Sequence, residues 1–190
     1  VLDFGSQTTQ LISRRIRDIG VYAEVVAGDS PLPTQFPADV RGIVLSGSPF
    51  SVTDDDAPEA PPGVFDAGVP VLGICYGFQR MTADSGGRVA GHETKEYGRS
   101  RISCNSAHPL FEGVPDGFVS WMSHGDSILE PAPGFRVIAR SENGHIACAH
   151  EEARGLTGIQ FHPEVSHCEH GDTILSNFAT RICGARAEWT

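Results

Sequence analysis

The sequence predicts an α/β fold: an open, mostly parallel sheet flanked by helices, with a β-rich second half. Three observations carry this. Up to residue 87, apolar runs alternate with amphipathic segments, as in successive βαβ units. From residue 99 to 161, short strand-like runs follow one another with turns between them. Between these halves the apolar run Val69 to Ile74 breaks at Cys75, set between Gly73 and Gly77, and Phe78, Gln79 and Met81 open a helix.

The chain of 190 residues, 39% hydrophobic and 20% charged, is large enough to bury one core. Its formal net charge of −10 argues against a non-specific nucleic-acid or anionic-membrane surface, which would need clustered Lys and Arg. Five cysteines, at 75, 104, 148, 168 and 183, are odd in number and form no C-x-x-C, so reduced thiols in a cytoplasm are expected. No apolar stretch approaches membrane-spanning length and no charged-then-apolar leader opens the chain.

Taken in order, Val1 to Phe4 reads as the end of a strand, so preceding residues are expected. Leu11, Ile12, Ile16 and Ile19 form one apolar helix face, and Arg14, Arg15, Arg17 and Asp18 a solvated one. Val21 to Ala27 is a second strand and the Pro-rich stretch Asp29 to Pro37 a loop. Arg41 to Ser46 is a third strand, running into the turn Gly47-Ser48-Pro49, at the strand end where open α/β sheets place their sites. Asp54, Asp55 and Asp56, lacking an EF-hand pattern, read as a solvated loop. Pro61 to Gly68 holds a short helix at most, and the helix after Cys75 ends near Gly86-Gly87. Strands follow at Arg99 to Cys104, Phe118 to Met122, Phe135 to Ala139, His145 to Ala149 and Leu156 to Phe161, and an amphipathic helix over Gly171 to Cys183.

A cysteine at a sharp strand-to-helix turn is held exposed, near a helix N-terminus whose partial positive charge favours the thiolate. A buried structural cysteine fits the same residues, so Cys75 alone leaves both readings open. A nucleophile needs a base and the base an orienting group. His162, in Gln160-Phe161-His162-Pro163-Glu164, falls where an apolar strand ends, and Pro163 keeps its backbone extended. In such a stretch residues i and i+2 point the same way, so Glu164 can hold one ring nitrogen while the other faces Cys75. His162, His167, Cys168 and His170 have zinc-binding side-chain types, but H-x-C-x-H matches none of the usual ligand pairs, and no metal is expected. Trp121 to Asp126 reads as a strand end with a polar turn, without assignable chemistry.

Together these pieces resemble the class I, triad-type, glutamine amidotransferases over nearly the whole chain. The resemblance rests on Leu-Asp-Phe-Gly-Ser-Gln at 2–7, Leu-Ser-Gly-Ser-Pro at 45–49, Gly-Ile-Cys-Tyr-Gly at 73–77, Trp-Met-Ser-His-Gly-Asp at 121–126 and Gln-Phe-His-Pro-Glu-Val at 160–165. The first and fourth, with Glu96-Tyr97-Gly98-Arg99, are similar to the branch that supplies ammonia for the ATP-dependent amination of XMP to GMP. The resemblance implies that Cys75 forms a γ-glutamyl thioester, that His162 moves protons and that Glu164 orients it. It implies an oxyanion hole from the backbone N–H groups of Ser48 and Tyr76, and glutamine contacts from Gln79, Gly125 and Asp126. Asp3 is assigned to support of the fold and site. The family usually has glycine at the position of Ser48, where a positive φ would strain serine.

The resemblance further implies a glutaminase domain over residues 1–184, with residues 185–190 starting a linker to an ATP-pyrophosphatase (synthetase) domain, in the same polypeptide or a separate one. ATP and Mg are expected on that domain, and no cofactor in this one, since no phosphate-cradling glycine loop is present. The alternatives are a stand-alone cysteine hydrolase of γ-glutamyl amides and a non-catalytic glutamine-binding regulatory module.

Overall fold

The structure, a computed structural model, describes residues 1–33 and 36–190, the side chains of 92–94 excepted. The predicted loop from Asp29 to Pro37 thus lies outside the described residues at positions 34 and 35. In chain order the elements are β1 (Leu2–Asp3), α1 (Thr9–Asp18), β2 (Val26–Ala27), β3 (Ile43–Leu45), β4 (Val71–Ile74), α2 (Tyr76–Asp84), β5 (Arg88–Cys104), β6 (Phe118–Glu130), β7 (Arg136–Ser141), β8 (Ile146–Glu151), β9 (Leu156–Ile159) and α3 (Gly171–Ser176). Single 3₁₀ turns occupy Val64–Asp66 and Pro109–Phe111, and a π-wound segment, Asn177–Ile182, continues α3.

Among the described residues the strands form one sheet in the order β2-β1-β3-β4-β9-β8-β7-β5-β6. The first five pair in parallel and the remaining four are added antiparallel, so the α/β half and the β-rich half share one sheet. The chain leaves β1 through α1 to β2 on one side, then crosses to β3 on the other side of β1. Connections that diverge in this way open a crevice at the carboxyl ends of the two strands. The turns that leave β1, β3, β4 and β9 all emerge at that edge.

Burial on both faces explains why the central parallel strands β3 and β4 read as apolar runs. In β3, Val44 joins the cluster that holds Ile12 and Ile16 of α1, while Ile43 and Leu45 join the one that holds Tyr76 and Met81 of α2. β4 divides likewise, Leu72 and Ile74 to one side and Val71 to the other, and all four of its residues are buried.

The solvated arginine face of α1 is only partly solvated. Arg14 is exposed, but Arg15 Nε donates to Glu164 O at 3.2 Å and its guanidinium pairs with Asp172 at 3.2 Å. Arg17 Nε donates to Ala23 O at 2.8 Å, and the guanidinium lies 5.8 Å from the ring centres of both Tyr22 and Trp189. The segment 185–190 carries no regular element, yet it returns along α1, with Trp189 N–H donating to Gly20 O at 2.8 Å. The largest departure from the sequence reading is the β5–β6 ribbon, of 17 and 13 residues, of which the sequence shows only Arg99–Cys104 and Phe118–Met122. Trp121–Asp126 therefore lies inside β6, opposite β5, and is not a strand end with a turn.

Candidate active site

Cys75 is the single residue between β4 and α2, at φ 53° and ψ −105°. Left-handed backbone at a non-glycine residue costs on the order of 1–3 kcal/mol, so the surroundings must impose it. They do so from both sides. Cys75 N–H donates to Ile159 O at 2.8 Å, tying the turn to β9, and its carbonyl accepts from Phe78 and Gln79 N–H at 3.1 Å. A Cβ on Gly73 would stand 2.6 Å from the Gly77 carbonyl carbon, and one on Gly77 would stand 2.5 Å from Leu45 O. Both glycines are thus set by backbone contact across the turn.

His162 follows β9, and its N–H donates to Trp121 O at 3.2 Å, so β6 fixes its backbone. Its Nδ1 lies 2.8 Å from Glu164 Oε1, the contact expected of side chains two apart in an extended stretch. Thr8 Oγ1 donates to the same carboxylate oxygen at 2.7 Å, and Glu164 is fully buried. The opposite nitrogen of the ring is left for Cys75. Burial alone would lower the His162 pKa; the hydrogen bond and charge of Cys75, then those of Glu164, more than offset this and hold it well above the ordinary value. The ring and the sulfur thus stand as base and nucleophile toward each other.

The sulfur has two further neighbours that the sequence reading missed. Cys75 Sγ lies 3.7 Å from Ser123 O, and Gln160 Nε2 lies 3.6 Å from the sulfur. Gln79, buried on α2, donates from Nε2 to Asp126 O at 3.0 Å and to Gln160 Oε1 at 3.3 Å. Gln79 is thereby brought to the site together with the 123–126 stretch of β6. Gly125 and Asp126 are half-buried there, with the Asp126 carbonyl turned to Gln79. The only signal for Ser123 and Gln160 in the sequence is their place inside motifs chosen for other residues.

Ser48 and Tyr76 occupy the turns that leave β3 and β4. Among the described residues neither backbone N–H has an acceptor. Ser48 is absent from the residues of positive φ, so serine is not strained where the family usually has glycine. Its neighbour Gly47 lies against His162, where a Cβ would meet Cε1 at 3.4 Å. Asp3 Oδ1 accepts from Gly5 N–H at 2.9 Å and from Thr9 Oγ1 at 2.7 Å, closing the turn that carries Thr8. Asp54, Asp55 and Asp56 are exposed, and among the described residues no three His, Cys, Asp or Glu side chains converge as a metal set.

An α/β sheet with a strained cysteine at its switch-point edge, an adjacent histidine and a carboxylate behind it has the arrangement of a thiol-based acyl-transfer enzyme. Residues 1–182 match the family described as Glutamine amidotransferase class-I, and the chain belongs to that family. Among curated relatives, GMP synthase [glutamine-hydrolyzing] of Nitratiruptor sp. is 45% identical over 193 residues, covering 100% of this chain and 37% of that protein. The enzyme of the same name from Thermobifida fusca is 44% identical over 190 residues, covering 100% of this chain and 36% of that protein. The chain thus spans little more than a third of the length of these relatives. Among solved structures, a protein of Thermoplasma acidophilum, provisionally described as one of the subunits of GMP synthase, superposes with TM-score 0.77 at 26% identity, covering 96% of this chain and 92% of that one. A glutamine amidotransferase of Thermotoga maritima, at 20% identity and TM-score 0.66, shares the fold, covering 82% of this chain and 70% of that one.

Proposed function

We propose that this chain hydrolyses glutamine through Cys75 and supplies the ammonia to a synthetase domain that aminates XMP to GMP. The observation that carries the reading is the convergence of Cys75, His162 and Glu164 at the switch-point edge of a class-I glutamine amidotransferase. The Cys75 sulfur attacks the side-chain carbonyl carbon of glutamine, forming a C–S bond, while the carbonyl electrons move to oxygen. The backbone N–H groups of Ser48 and Tyr76 receive that oxyanion. His162 gives its proton to the amide nitrogen, the C–N bond breaks and ammonia leaves. Water, deprotonated by His162, then cleaves the thioester, releasing glutamate and restoring the thiol. Glu164, held by Thr8, keeps the imidazole in register throughout. Gln79 and the backbone at Gly125 and Asp126 line the seat of the glutamine.

ATP and Mg belong to the synthetase partner, in the same polypeptide or a separate one. Each step above is carried by this chain's own side chains and backbone. No described helix is long and apolar enough to cross a membrane. The five free thiols support a cytoplasmic location. Glutaminase assays with and without the synthetase domain, XMP and ATP test the proposal. Hydrolysis that rises when the acceptor site is filled supports it; a rate indifferent to XMP and ATP points instead to a stand-alone hydrolase.

A further inference from the structure

The β5–β6 ladder shifts register beside the sulfur: Gly91 stands opposite Asp126 and Glu96 opposite His124, so β5 advances five positions while β6 advances two. Side chains meet across that shift. His124 Nδ1 lies 2.7 Å from Asp126 O, and a carbonyl only accepts, so Nδ1 carries a hydrogen. His124 Nε2 lies 3.3 Å from Glu96 Oε2, with the two side chains 1% and 3% exposed. Neither of these atoms has another hydrogen-bond partner among the described residues.

The other carboxylate oxygen, Glu96 Oε1, accepts from Ser141 Oγ and from Asn143 Nδ2, each at 2.8 Å. Burial pushes the Glu96 carboxyl up, but the hydrogen bonds from His124, Asn143 and Ser141, with the charge of His145, outweigh it and bring it down to about 2. The Glu96 carboxylate thus backs the His124 ring in a contact buried from solvent.

The consequence falls on one carbonyl. Asp126 O receives the His124 ring from one side and Gln79 Nε2 from the other, at 3.0 Å. Gln79 in turn reaches Gln160, whose amide lies 3.6 Å from Cys75 Sγ. We propose that Glu96 and His124 are positioning residues for glutamine binding: their buried contact holds the Asp126 carbonyl on Gln79 and so sets the 123–126 wall beside the sulfur. This rests on the reading of Cys75 as a glutamine-hydrolysing nucleophile. It gives His124, within the W-M-S-H-G-D stretch, and Glu96 opposite it a role in substrate affinity without contact to the substrate.

The test measures KM and kcat for glutamine in the full chain, beside the rate at which iodoacetamide alkylates Cys75, a reaction that needs no glutamine seat. Glu96→Ala is expected to raise KM about tenfold or more, with kcat and alkylation within about threefold of the parent. Glu96→Gln is expected to stay within about threefold throughout, because its oxygen still accepts from Ser141 and Asn143 while its amide can donate to His124 Nε2. Equal KM losses in the two variants, or a parent-like KM in Glu96→Ala, would overturn the proposal. So would parallel loss of KM, kcat and alkylation, the mark of general disorder. Should Glu96→Ala not fold, Asn143→Ala carries the test: a KM raised more than about threefold supports the role and a KM within about threefold of the parent removes it. If Cys75→Ala still hydrolyses glutamine, the nucleophile reading fails; if Cys75 is required and KM ignores Glu96, only the positioning role fails.

Discussion

His162 Nδ1 stands 2.8 Å from Glu164 Oε1 across a single proline, and Thr8 donates to that same oxygen at 2.7 Å. The carboxylate therefore has its imidazole-facing lone pairs fixed from two strands' ends at once, by the turn after β1 and the turn after β9. A ring so held cannot rotate away from Cys75 without breaking a buried charge-assisted hydrogen bond.

Replacing the members of this set should give graded losses. His162→Ala is expected to lower kcat for glutamine about 10²–10⁴-fold, the range for removing a general acid–base. Glu164→Gln keeps the size and one acceptor oxygen but loses the charge that favours the imidazolium, so a smaller loss of about 10–10² is expected. Steady-state kinetics check both; a parent-like kcat in Glu164→Gln would remove the orienting role.

Ser48 is expected to act through its backbone N–H and not its hydroxyl, which accepts locally from Phe50 N–H at 3.3 Å. Ser48→Ala should keep kcat within about threefold. Ser48→Pro, which deletes the donor, should lower it about 10²–10³-fold. Similar kcat values for the two variants would show that this N–H does not meet the oxyanion.

Gly77→Ala should test the elbow, since its Cβ would stand 2.5 Å from Leu45 O and 2.6 Å from Leu45 Cβ. Moving α2 off β3 to relieve the overlap is expected to cost about 1–3 kcal/mol in urea unfolding and to displace Cys75. A parent-like unfolding midpoint would mean that the turn is looser than its contacts imply.

Acid sensitivity should fall in two separate pH windows. Burial, with the charges of His150 and Arg136, lowers His108 from 6.5 to about 4. Its neutral ring stabilises the fold fully above 6.5, and that contribution is lost as pH falls from 6.5 through 4. Glu96, opposed by burial but lowered by its hydrogen bonds from 4.5 to about 2, contributes above 4.5 and loses that contribution between 4.5 and 2. The second contribution is at most about 3 kcal/mol before solvent screening reduces it. Unfolding free energy measured against pH should flatten only in the upper window for His108→Asn, which keeps an acceptor for Leu110 N–H, and only in the lower for Glu96→Gln. Profiles parallel to the parent in both variants would contradict these assignments.

The centre of the parallel half was legible because β3 and β4 are buried on both faces, whereas both residues of the edge strand β2 are exposed. Ile43 to Leu45 and Val71 to Ile74 stand out as apolar runs closed by glycine, and the elbow is written in Gly73, Cys75 and Gly77. The His162–Glu164 contact was legible too, since a proline and a two-residue spacing suffice to set it. Residues 88–98 were not, because charge and glycine there hide any two-residue period and only pairing with β6 makes them a strand. The same pairing places His124 against Glu96 and Ser123 beside the sulfur, so their meeting is a matter of sheet register that local sequence does not record. The arginines of α1 misled for a related reason: the partners of Arg15 lie about 150 residues away along the chain, at Glu164 and Asp172.

In the proposed reaction the sulfur of Cys75 takes the acyl group from glutamine. Mass spectrometry of protein quenched in acid during turnover addresses it directly, by locating the added group on a proteolytic peptide. The expected result is one γ-glutamyl group on the peptide that carries Cys75, absent from Cys75→Ala together with glutamine hydrolysis. An acyl group on another residue, or hydrolysis undiminished in Cys75→Ala, would contradict the account.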